Sequence, residues 1–204
     1  MIFIKRAVML CASIAIAAFA DTHSGHAAPA AAQEAQTEID RLAQAIKLNP
    51  KDAAAYSARA NLYRAQGAYE KAIADYDHAI KLSPKDAKIY GARGVAHAQW
   101  GDYEAAIADF GESIRLDPKQ TSAYNNRGFA YAYAGEYEKA IADFGASINL
   151  DPNDGGAYNN RGNAYKDLGD LKKAEADARK ACELGVCNLA RAMGLNQNAH
   201  SHHH

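Results

Sequence analysis

Several things are scarce in this 204-residue chain, and each shortage excludes something. There is no surplus of charge, with 23 Lys+Arg against 24 Asp+Glu, so a broadly basic surface for nucleic acid or anionic lipid is ruled out. Five prolines leave helices uninterrupted over most of the length. Three cysteines are too few for a disulfide-rich scaffold. Beyond the first 20 residues no apolar run approaches the about 20 residues that span a bilayer. Catalytic signatures are also missing: no GxSxG, GxxxxGK[ST], HExxH, EF-hand loop or CxxC pair occurs. No catalytic residue, cofactor or metal site is therefore expected. What is abundant is alanine, 47 residues, the cheapest residue to place in a helix, so the composition points to an all-α protein.

The first 20 residues read as a secretory signal peptide. Lys5 and Arg6 precede the uncharged run Ala7–Ala20, and Ala18-Phe19-Ala20 is a small-x-small cleavage site. Gly25-His26-Ala27 is a second one, so cleavage falls after residue 20 or after residue 27. Cys11 lies inside the apolar run behind Leu10 and does not suit lipidation. An exported chain, periplasmic or secreted, is expected, with no membrane span once the leader is removed. Residues 21–32 read as a linker and 196–204 as a His-rich flexible tail. That tail lacks the fixed spacing of a closed metal site.

Prolines at 50, 84, 118 and 152 are each 34 residues apart, and the intervening sequence repeats with them. Four copies, 53–86, 87–120, 121–154 and 155–188, align without a gap. Column four is Tyr56, Tyr90, Tyr124 and Tyr158; column eight is Ala60, Gly94, Gly128 and Gly162. Column eleven is Tyr63, His97, Tyr131 and Tyr165; column fifteen is Gly67, Gly101, Gly135 and Gly169. Column twenty is always Ala, and column twenty-four is Tyr76, Phe110, Phe144 and Ala178. Columns four, eight and eleven share one face of a first helix, which the glycine at fifteen ends. A second helix runs from column seventeen to the boundary proline. The small residues at eight and twenty let the pair approach closely, with the rings at four, eleven and twenty-four filling the space around them. On that reading Tyr131→Ala, like other core ring truncations, costs about 3–5 kcal/mol.

These columns resemble the tetratricopeptide repeat (TPR) family over 136 of 204 residues. The resemblance implies a right-handed superhelical solenoid of helix-turn-helix repeats, here with ten helices. Residues 33–49 supply an N-terminal capping helix, and 186–195 a C-terminal one, since solenoid ends need covers. Where the family favours Leu at column seven, this chain has Arg59, Arg93, Arg127 and Arg161, with Asp75, Asp109, Asp143 and Asp177 sixteen residues on. Either these arginines form a ligand-binding row, or each ties the two helices of its repeat together; four copies of one pair favour the tie. Cys182 and Cys187 flank Gly185, and a chain reversal there would let them form a disulfide.

Members of the family bind peptides along a concave groove lined by first helices, which implies a protein or peptide partner. The groove positions that the resemblance implies are occupied by Asn61, Arg64, Lys88, Gln99, Asn125, Asn126, Phe129, Tyr133, Asn159, Asn160, Asn163 and Lys166. The clamp with which some members hold a C-terminal carboxylate falls on Ser57, Asn61, Ala92, Ser122 and Asn126, so its cations are missing. The amides would pair with a peptide backbone or with neighbouring helices. Of the chain's 18 aromatic rings, all but Trp100, Phe129 and Tyr133 belong to the leader or to a repeat column. Phe129 and Tyr133, four residues apart on one helix face, are the expected anchors. A second reading is an envelope scaffold acting through self-association or the convex face.

Overall fold

A computed structural model describes the backbone of residues 27–195, with side chains from residue 31. The leader, the cleavage site after Ala20 and the His-rich tail lie outside the described residues, as do Gly25 and His26 of the second site, whose Ala27 opens α1. Ten helices and no strands occur among the described residues. They are α1 (Ala27–Leu48), α2 (Ala53–Ala65), α3 (Tyr69–Leu82), α4 (Ala87–Trp100), α5 (Tyr103–Leu116), α6 (Thr121–Tyr133), α7 (Tyr137–Leu150), α8 (Gly155–Leu168), α9 (Leu171–Glu183) and α10 (Asn188–Ala192). None is long and apolar enough to cross a membrane.

Each repeat is one antiparallel pair: α2/α3, α4/α5, α6/α7 and α8/α9. The turn inside each pair is set by the glycine of column fifteen, whose φ is +73°, +90°, +79° and +92° in order. There the amide of column sixteen donates to the carbonyl of column eleven, from Ala68 to Tyr63 through Asp170 to Tyr165, at 2.8–2.9 Å. This bond closes off the first helix. At the other ends, Asp52, Asp102, Asp154 and Asp170 each accept a backbone N–H of the helix they precede.

Column eight meets column twenty-four across the pair. A Cβ placed on Gly94 would lie 2.9 Å from Phe110, and one on Gly128 2.9 Å from Phe144. Tyr76, Phe110 and Phe144 are the fully buried rings. The rings of columns four and eleven are only part-buried, which corrects the even filling expected from the columns. They flank the arginine of column seven: Arg127 lies 5.9 Å from the centroids of both Tyr124 and Tyr131, and Lys139 covers Tyr131 from 5.3 Å. Tyr131 is therefore less of a core residue than Phe144.

The arginines bond the aspartates of column twenty-three. Arg59, Arg93, Arg127 and Arg161 each donate Nε and Nη2 to Asp75, Asp109, Asp143 and Asp177 at 2.6–2.9 Å. These hydrogen bonds hold each guanidinium protonated above its ordinary range. Arg93 alone adds a bond to Asp77 of the preceding repeat, where the later repeats carry Gly111 and Gly145.

The ends differ from the sequence-based boundaries. Helix α1 begins at Ala27, so residues 27–32, expected as linker, are helical. Alanine favours this, and Pro29 sits in the first turn, where its missing N–H has no partner to lose. Ile39, Leu42 and Ile46 are buried, the last two packing against Ala55 of α2. Helix α10 is shorter than the expected 186–195, being held between two constraints. Cys187 at its start is disulfide-bonded to Cys182 with Cα atoms 4.1 Å apart, and Gly194 with φ +70° follows its end. Gly185, at φ +91°, supplies the reversal between the cysteines. Leu189 and Ala190 then cover Ala178 of α9.

Candidate functional site

First helices α2, α4, α6 and α8 lie side by side, each touching the next, and present the positions named above on one face. Many of the amides there have intramolecular partners. Asn160 donates to Asn125 at 3.1 Å, tying α8 to α6. Asn159 accepts the Leu189 amide at 3.1 Å, docking α10, and its carbonyl accepts from Asn163. Asn61 accepts the Tyr76 hydroxyl at 2.7 Å. These side chains join helices and repeats, the second of the two roles weighed for them.

The centre of the face has a different character. A depression of about 200 Å³ lies between α4 and α6, with Gly91, Ala92, Val95, Phe110 and Ala123 as its floor and Lys88 and Asn126 at its margin. Further along α6, the helix that contributes Ala123 and Asn126 to it, Phe129 and Tyr133 are 40% and 51% exposed. Their centroids are 4.6 Å apart, and Tyr133 stacks on Tyr103 at 5.2 Å. Burial, with Tyr133 adding to it, raises the Tyr103 phenol above its usual range. Tyr103 escaped the sequence reading because it occupies column seventeen, where tyrosine also stands in repeats one and three. The depression was equally hidden, since its lining comes from α4, α5 and α6 together and from no single sequence motif.

In repeat one Arg64 donates through Nη1 to Gln99 of repeat two at 3.2 Å. Its Nε is buried without a hydrogen-bond partner. Lys166 is exposed at the repeat-four end of the face. No cluster of three or more metal-ligating side chains exists among the described residues.

Family profiles described as TPR repeat match residues 60–101 and 98–135, and others described as tetratricopeptide repeat match 42–74, 121–154 and 155–184. The chain belongs to the tetratricopeptide repeat family. No curated protein matches it significantly. Among solved TPR structures, MamA is 26% identical with a TM-score of 0.69, over 72% of this chain and 86% of MamA. YrrB, described as a TPR protein with an unusual peptide-binding site, is 20% identical with a TM-score of 0.70, over 81% and 86%. The first TPR of Spaghetti (RPAP3), solved bound to the HSP90 peptide SRMEEVD, is 26% identical with a TM-score of 0.56, over 57% of this chain and 93% of that domain. The TPR solenoid is thus common to all three.

Proposed function

We propose that this TPR protein is an exported, non-catalytic interaction module that binds an extended peptide segment of a protein partner across α2, α4, α6 and α8. The observation that carries this is the exposed pair Phe129 and Tyr133, with the half-buried Tyr103 stacked on Tyr133, on the helix whose Ala123 and Asn126 line an apolar depression. Exposed aromatic side chains next to a pocket are the usual anchors of an interface. The peptide-bound Spaghetti domain supports the binding mode by similarity. Export is supported by the signal-like leader and by the Cys182–Cys187 bridge, which persists in oxidising compartments.

A photo-crosslinking residue at Tyr133, compared with one at the exposed Ala142 of α7, tests the reading in cells. Crosslinks to another protein from position 133, absent from position 142, are expected. Crosslinks from position 142 only, or to a second copy of the chain, would replace this reading with the scaffold.

A further inference from the structure

Repeat one differs from the two middle repeats in three columns, as repeat four does with Asn163, Lys166 and Ala178, and in repeat one the three side chains converge. Column twenty-four is Phe110 and Phe144 in the next two repeats but Tyr76 here; column twelve is Ala98 and Ala132 but Arg64 here; column nine is Val95 and Phe129 but Asn61 here. The added polar groups form one cluster: the Tyr76 hydroxyl donates to Asn61, and Arg64 reaches Gln99. Arg64 also lies against Tyr76, where a hydrogen bond from the guanidinium, and then its charge, partly offset the upward push that burial gives the phenol.

A guanidinium fixed this way would normally face a carboxylate. Arg41, Arg59, Arg93, Arg115, Arg127, Arg161 and Arg179 all do, whereas among the described residues Arg64 and the exposed Arg191 of α10 form no ion pair. No carboxylate compensates its charge: its Nε is buried without a partner, and its bonds go to the neutral Gln99 and Tyr76. Across the face as a whole, the charged groove positions are Arg64, Lys88 and Lys166 against Asp167 alone. These positions thus sum to +2 on a chain of net charge −1, the excess being carried by Arg64 and Lys88 in the first two repeats.

Resting on the groove reading above, we infer that the cluster around Arg64 is a carboxylate receptor and that the bound segment is an acidic peptide. Its acidic side chain pairs with Arg64, and a bulky apolar side chain enters the depression beside Val95 or packs on Phe129. Lys88, at the margin of the depression, favours further acidic residues between the two. Packed helices lie about 8–10 Å apart, so α2 to α6 is about 16–20 Å. An extended chain covers that in about five or six residues. Arg64 is not one of the positions of the family's carboxylate clamp, so the acidic side chain need not be a C-terminus.

The test pans a random displayed dodecapeptide library on the full chain, then measures selected peptides by fluorescence anisotropy. Enriched peptides are expected to carry Asp or Glu about five or six positions from Leu, Ile, Phe or Tyr. Changing that acid to its amide should weaken binding to the parent protein at least tenfold. The same change should make less than a twofold difference to Arg64→Gln, and Arg64→Lys should recover part of the preference. The ligand-side change leaves the protein untouched, so a folding defect cannot mimic the result. Peptides that need Phe129 and Tyr133 but are indifferent to the amide change would overturn the receptor and leave the groove standing. Failure to enrich any peptide dependent on Phe129 and Tyr133 would overturn both.

Discussion

Replacing Asp143 by Ala removes both acceptors of Arg127 but leaves the guanidinium between Tyr124 and Tyr131. Two hydrogen bonds to charged groups are worth about 1.5–3 kcal/mol each. Arg127 is 22% exposed and Asp143 9%, so water recovers part of the loss, and the net cost should be about 2–4 kcal/mol. Changing both residues, Arg127→Leu with Asp143→Ala, removes the charge together with its partner and installs the family's preferred residue. That double variant should fall within about 1 kcal/mol of the parent, giving a coupling of about 2 kcal/mol or more. Urea unfolding followed by far-ultraviolet circular dichroism measures the totals. Amide exchange in α6 and α7 localises them, since repeats unfold as coupled neighbours and not as one block. A single-variant loss below about 0.5 kcal/mol, or a double variant as costly as the two singles together, would show that the ladder contributes nothing specific. As a control, Asp77→Ala should cost no more than about 1 kcal/mol, because Asp77 is 44% exposed and Arg93 keeps Asp109.

Phe144→Ala should cost about 3–5 kcal/mol and Tyr131→Ala about 1–3, in the same urea assay, because Phe144 is 1% exposed while Tyr131 is part-buried under Lys139. Equal losses would contradict the two classes of ring. Opening the Cys182–Cys187 bridge should cost about 2 kcal/mol by loop-closure entropy, seen as faster amide exchange in α10 after reductant. Unchanged exchange would mean that Leu189 packing alone holds the cap. Gly162→Ala should destabilise by about 1–3 kcal/mol, since its Cβ would lie 2.6 Å from Leu189 Cδ2 and 3.3 Å from the Ala174 carbonyl. A stabilised variant would show that α10 shifts freely.

The helices and their ends were legible in the sequence because each is written four times. One glycine at column fifteen could mean several things, but four at a 34-residue period leave only a turn. The Arg–Asp pairs were readable for the same reason, their separation being constant at sixteen residues. Periodicity failed where residues do not repeat or where a repeated residue acquires a local partner. Nothing in the order of residues says whether Asn160 bonds Asn125 or a ligand, since an amide on a first helix can reach either. Tyr103 looked like scaffold because of its column, yet only there does the following repeat offer a ring, Tyr133, for it to stack on. Residues 27–32, part of the stretch 21–32 read as linker, lie outside the repeat period and are helical nonetheless, since a proline in the first helical turn interrupts nothing.

Asp77 has a mechanical consequence. Its bond to Arg93 bridges the first two repeats, whereas Gly111 and Gly145 leave Arg127 and Arg161 bound only within their own repeats. Among the described residues the first junction is thus the one that carries an ion pair, and raising the salt concentration should loosen it while leaving the Asn160–Asn125 tie between repeats three and four unchanged.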